Sequence, residues 1–291
     1  MLQSLLLPFL LAAAPPSAEP QWVDVPSLRA STYRGAGSLL IDIDSRLDSH
    51  GIGQLEGRGF DADTYGHEGV HMVQAWVRNK QGGRVNAFYV GNGKAAILRE
   101  PRTTIQRAAS FVPAHLRGGR FNLYLVQQTT GWNAQPLYLL DEWNAYVMGC
   151  AVALSQAKEG LAYSKGTDSA VGQIEFIPYV LAVYIAASED DPAYVAGPDG
   201  EQFRRFVRWN VQRALRQYEA CQTTDGLKWF CEVRVSSDAR LKAAYDRIMG
   251  VSLPQTMLPT PSRLPQSTLP VMPAPIRQTP TFLQDCSPGG T

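Results

Sequence analysis

Two histidines four residues apart, His67 and His71 in the run HEGVH, constrain this chain more than any other feature. On a helix that interval puts both side chains on one face, one turn above the other, so that both imidazoles can meet a single ion. The flanking sequence reads as a helix from end to end. Asp61 and Asp63 are cap candidates, the segment continues through MVQAWVRNK, and Gly82 and Gly83 stop it. Glu68 lies ~100 degrees around the same helix, turned from the ion toward an attacking water, which suits a general base. The expected ion is zinc. Bound zinc lowers the pKa of water toward ~7 and polarises a carbonyl, while a carboxylate such as Glu68 takes the proton and passes it to a leaving amine.

The rest of the chain predicts an α+β fold, with a small sheet beside the HEGVH helix and a mainly helical second half. Ser38–Ile43 has the length and aliphatic content of a strand, and glycines at 51, 53, 57 and 59 then punctuate a loop. Arg84–Val90 and Ala95–Arg99 read as strands joined by a tight turn at Gly91-Asn92-Gly93, and Phe121–Gln127 as a further strand. Pro136 suits the first turn of a long helix ending before Gly160. Ile174–Ser188, Gly200–Ala220 and Asp238–Ile248 carry apolar residues closer to the helical period than to alternation.

The chain's ends and its charge bound what the protein can be. Leu5–Ala14 is an apolar run of signal-peptide length, with Ala12 and Ala14 at signal-peptidase spacing, so residues 1–18 read as a cleaved signal peptide. The absence of Lys or Arg before that run departs from the pattern and leaves an uncleaved anchor as the alternative. No other stretch reads as a span, the longest being Ile177–Ala187. The mature chain is therefore expected to be secreted or periplasmic, without a membrane span. In an oxidising compartment Cys221 and Cys231 are expected to pair across the Asp225-Gly226 turn, with Cys150 a buried apolar residue that could alternatively join Cys286. The stretch 251–291, rich in Pro, Ser, Thr and Gln, reads as a disordered tail, leaving 19–250 as the catalytic domain. Basic and acidic residues number 27 and 26 and form no basic stripe, so nucleic acid is not an expected partner.

A catalytic zinc usually takes three protein ligands, so a third must lie elsewhere. Metzincins place it six residues after the second histidine, following a glycine, but Val77 and Gln74 stand at those positions. Gly166, Thr167 and Asp168 partly match the GTxxD run of aspzincins, with the aspartate too early. DEWNAY, carrying Glu142, Ala145 and Tyr146, resembles the ExxA-type glutamate context of gluzincin metallopeptidases, a clan that includes thermolysin-like enzymes and the anthrax lethal factor type. The resemblance is limited to the HEGVH and DEWNAY segments. It implies zinc held by His67, His71 and Glu142, and a peptide or protein substrate cleaved with Glu68 as base.

Physical reasoning also favours Glu142. Ala145 and Gly149 lie on its helical face, and Gly66 and Gly69 on the other helix, so the two helices can approach closely. Glu175, an acid inside an apolar run, is the rival ligand or a residue behind the ligands. Asp141 is placed to orient a ligand histidine, and Tyr138, Tyr146 and His115 are candidate oxyanion stabilisers. A zinc hydrolase of a non-peptide amide, or a non-catalytic binding protein with a degenerate metal site, are the competing functions.

Overall fold

A computed structural model describes residues 19–33, 36–83, 85–161, 168–221 and 235–251. The expected signal peptide, Cys231, Cys286 and positions 252–291 of the expected tail lie outside these residues. The protein is α+β and mainly helical, with one three-stranded antiparallel sheet.

In chain order the first elements are strand β1 (Trp22–Asp24) and helices α1 (Ser38–Asp44), α2 (Ser49–Leu55) and α3 (Ala62–Lys80), the last holding HEGVH. Strands β2 (Asn86–Gly91) and β3 (Lys94–Leu98) follow, then short helices α4 (Ile105–Ser110), α5 (Gly119–Asn122) and α6 (Thr129–Trp132). The second half comprises α7 (Tyr138–Lys158), α8 (Asp168–Glu175), α9 (Ile177–Asp190), α10 (Pro192–Ala196), α11 (Pro198–Cys221) and α12 (Ala239–Met249).

Two segments expected as strands are helical. Ser38–Asp44 buries Leu40, Ile43 and Asp44, and Phe121–Gln127 forms the end of α5 and a π-helical turn that bury Phe121, Tyr124 and Leu125. Both sets fall at i, i+3 and i+4, the helical interval, which a short aliphatic run conceals when read as composition alone. The hairpin is as expected: Asn92 and Gly93, both at positive φ, join β2 to β3. β1, which the sequence reading missed, pairs on the far side of β3 with Trp22 opposite Ala96.

The sheet has helices on both faces. Phe88, Val90 and Ala96 enter the large core beneath α7, α9 and α11, whereas Ala87, Tyr89 and Ala95 join a second core with α1 and α3. β2 is therefore buried at all six positions and lacks the alternation of a half-exposed strand. Asp168–Asp190 contains an apolar window of mean hydropathy 1.6, long enough to cross a membrane, so Ile177–Ala187 understated it; 83% of that window is buried inside the protein. Its apolar side chains face α4, α7 and α12 rather than solvent.

α3 and α7 form the most extensive helix pair. Asp61 caps α3, its carboxylate accepting from Thr64 N at 2.8 Å. α7 has no side-chain cap of its own; the Leu137 amide at its start donates to Glu100 Oε2 at 3.1 Å, across the chain. Close packing of the pair depends on glycine. A Cβ at Gly66 would lie 2.7 Å from Val152 on α7, and one at Gly149 would lie 2.6 Å from Asp63 on α3. Gly69, expected to serve the same contact, instead faces Ile43 of α1 at 2.9 Å.

Candidate metal centre

α3 and α7 bring His67, His71 and Glu142 to one point. His67 Nε2 and His71 Nε2 lie 3.2 Å apart, and Glu142 Oε2 lies 3.7 and 3.6 Å from them. All three side chains are buried, with relative exposures of 6%, 4% and 3%. A tetrahedral zinc with bonds of ~2.0 to 2.1 Å separates its ligand atoms by ~3.4 Å, and a point ~2.0 Å from all three atoms exists here. Two imidazole nitrogens and one carboxylate oxygen thus fit a divalent metal ion in both chemistry and spacing. Glu68 stands outside the convergent group, 9% exposed.

Each donor is held from behind. His71 Nδ1 donates to Asp141 Oδ2 at 2.6 Å, which turns Nε2 toward the centre. Gln74 Nε2 donates to Asp141 Oδ1 at 2.6 Å, while Gln74 Oε1 accepts from Asn144 Nδ2 at 2.7 Å and from Tyr89 N at 3.1 Å. Asn144 Nδ2 also donates to Tyr89 O at 2.7 Å, so the chain behind His71 ends on the backbone of β2. The Tyr138 hydroxyl donates to Glu142 Oε1 at 2.7 Å, one helical turn away, and turns Oε2 toward the histidines. The Tyr146 ring meets His67 edge to face, centroids 4.6 Å apart, and is backed by Gly172, where a Cβ would lie 2.4 Å from the ring.

Electrostatics divide the two histidines. Burial, then the positive charges of His71 and Arg120, hold His67 well below the usual imidazole range. Burial also pushes His71 down, but Asp141 and Glu142 outweigh it, and His71 sits well above that range. Burial, aided by Glu142 and opposed by His71 and Arg58, raises the Glu68 carboxyl.

The rival ligands are engaged elsewhere. Glu175 accepts from Arg120 Nη1 at 2.7 Å and from the Tyr179 hydroxyl at 3.1 Å, and Asp168 pairs with the same Arg120 at the exposed start of α8. Arg120 in turn lies 4.9 Å from the centre of the Tyr146 ring. Of the candidate oxyanion stabilisers, Tyr138 and Tyr146 flank the centre, the latter with its hydroxyl 3.1 Å from that of Tyr124. His115 is exposed and bonded to Ser237 at 2.7 Å. Gln74, Asn144 and Tyr89 were not singled out in the sequence. Gln74 lies three residues past His71 and Asn144 three past Asp141, so a polar residue on the face of His71 and on that of Asp141 was the available signal.

Comparison with protein-family models, curated proteins and solved structures finds no match to this chain.

Proposed function

We propose that this chain is a zinc-dependent hydrolase, and within that class a metallopeptidase of gluzincin type that cleaves peptide or protein substrates. The observation that carries the reading is the convergence of His67 and His71 of α3, the helix that also carries Glu68, with Glu142 of α7, their donor atoms 3.2 to 3.7 Å apart. Held by these three residues, zinc supplies Lewis-acid polarisation of a carbonyl and acidifies water.

The chain's own groups supply the rest. Glu68, a carboxylate whose proton affinity is raised by burial, accepts a proton from water and returns it to the leaving amine. Asp141 fixes the tautomer of His71, and Tyr138 orients Glu142. The expected setting is outside the cytoplasm, which the N-terminal apolar run supports.

A second reading is a metal centre that only ties α3 to α7, and the burial of all four residues favours it. One substitution separates the two. Glu68→Gln keeps size and both histidines, so metal analysis should find zinc at the wild-type stoichiometry, while chelator-sensitive peptidase activity falls ~100 to 10,000-fold. Absence of hydrolysis by the zinc-loaded wild-type protein, against a broad library of peptides and of non-peptide amides, would leave the tie alone standing.

A further inference from the structure

Away from the metal centre, the fold brings together two cysteines that the sequence keeps 71 residues apart. Cys150 lies in the middle of α7 and Cys221 is the last residue of α11, and their Sγ atoms face each other at 3.4 Å. Both are buried, in a small apolar cluster with Ala170 and, at its edge, Leu154. Gln173 Nε2 lies 3.2 Å from Cys150 Sγ, so the pair is enclosed by α7, α8 and α11 together.

Among the described residues no histidine, aspartate or glutamate joins the two sulfurs in a metal-sized group. A nucleophile needs a thiolate, and the hydrogen bond with Cys221, together with burial, drives the Cys150 thiol well above its ordinary range. Two buried thiols held face to face at 3.4 Å are placed for joint oxidation.

We propose that Cys150 and Cys221 form a disulfide that staples the middle of α7 to the end of α11. Both S–H bonds break and one S–S bond forms. An external disulfide, oxidised glutathione or the disulfide of a thiol oxidoreductase, accepts the two electrons and two protons and leaves as two thiols. The bond length of ~2.05 Å requires the sulfurs to close by ~1.3 Å, within the reach of small side-chain rotations. The link closes a long loop that contains α8, α9 and α10, and so restricts the unfolded chain. It replaces the pairing of Cys221 with Cys231 expected from sequence spacing, and it stands whether or not the centre is catalytic.

The full-length chain, folded in a glutathione redox buffer, is denatured in the presence of an alkylating agent and digested without reduction for mass spectrometry. The expected product is a cross-linked peptide pair containing Cys150 and Cys221 that disappears on reduction. Recovery of Cys221 linked to Cys231, or of Cys150 in alkylated form, overturns the proposal. As a second readout, reduction should lower the thermal midpoint of the wild-type protein by on the order of 5 to 10 °C and leave that of a Cys150→Ser/Cys221→Ser double variant unmoved. An equal shift in both proteins assigns the staple to other cysteines.

Discussion

At the centre, the position of single protons decides what the ligands can do. His71 offers Nε2 to a metal only while its other nitrogen carries a proton, and Asp141 Oδ2, 2.6 Å away, holds that proton there. Gln74 in turn fixes Asp141, and its own carbonyl is saturated by Asn144 and the Tyr89 amide, so none of these side chains can rotate without breaking a buried bond. Asp141→Asn keeps the shape and removes the charge. It should weaken zinc binding ~10 to 100-fold, measured by competition with a chromogenic chelator, with the fold retained by circular dichroism. Unchanged affinity would make Asp141 a packing residue. The places of His67, His71 and Asp141 were legible because each follows from spacing along one helix or from adjacency to Glu142. Gln74 was legible only as the residue that breaks the metzincin pattern; its bond to Asp141 crosses between helices, and no spacing encodes that.

For the helices, the issue is how near α3 and α7 can come. Gly66→Ala would place a methyl 2.7 Å from Val152, and the resulting separation should cost about 1 to 2 kcal/mol in chemical denaturation, overpacking outweighing the gain in helix propensity. Gly53 in α2 has nothing within 4 Å of its missing Cβ, so Gly53→Ala should instead stabilise by up to about 1 kcal/mol. Equal effects at the two sites would remove the close-packing argument. α7 also depends on a borrowed cap. Burial pushes the Glu100 carboxyl up from 4.5 to about 7, against the bonds from Leu137 N and Asn86 that lower it. The folded state therefore holds this proton more tightly than the unfolded chain, and its stabilisation, complete below pH 4.5, is lost as pH rises through about 7. Glu100→Gln should flatten stability between pH 5 and pH 8 relative to wild type, by on the order of 3 kcal/mol. Matching pH profiles in the two proteins would contradict this account. The long helices were readable because their apolar period is sustained over several turns, whereas α1 and the turn after α5 offered only aliphatic content.

Across the molecule, the three donors join two helices whose shared interface organises both cores, so a metal there should act on the stability of the whole. Zinc at ~1,000 times its dissociation constant should add about 4 kcal/mol and raise the thermal midpoint by about 10 °C, and His67→Ala should abolish the shift. A wild-type midpoint indifferent to zinc would mean that the donors do not bind it. What the sequence determined by itself was local and periodic: the α3 helix with a start at Asp61 or Asp63, the Gly91-Asn92-Gly93 hairpin, the α7 helix, and the candidacy of His67, Glu68, His71 and Glu142. These follow from helix and turn geometry over a few residues. Only the tertiary structure decided that Glu175 and Asp168 belong to Arg120, that Gly69 faces α1, and that Cys150 lies against Cys221. Each of these depends on which helix face meets which, and that is settled by burying apolar surface across the whole chain, a sum that no short run of residues carries.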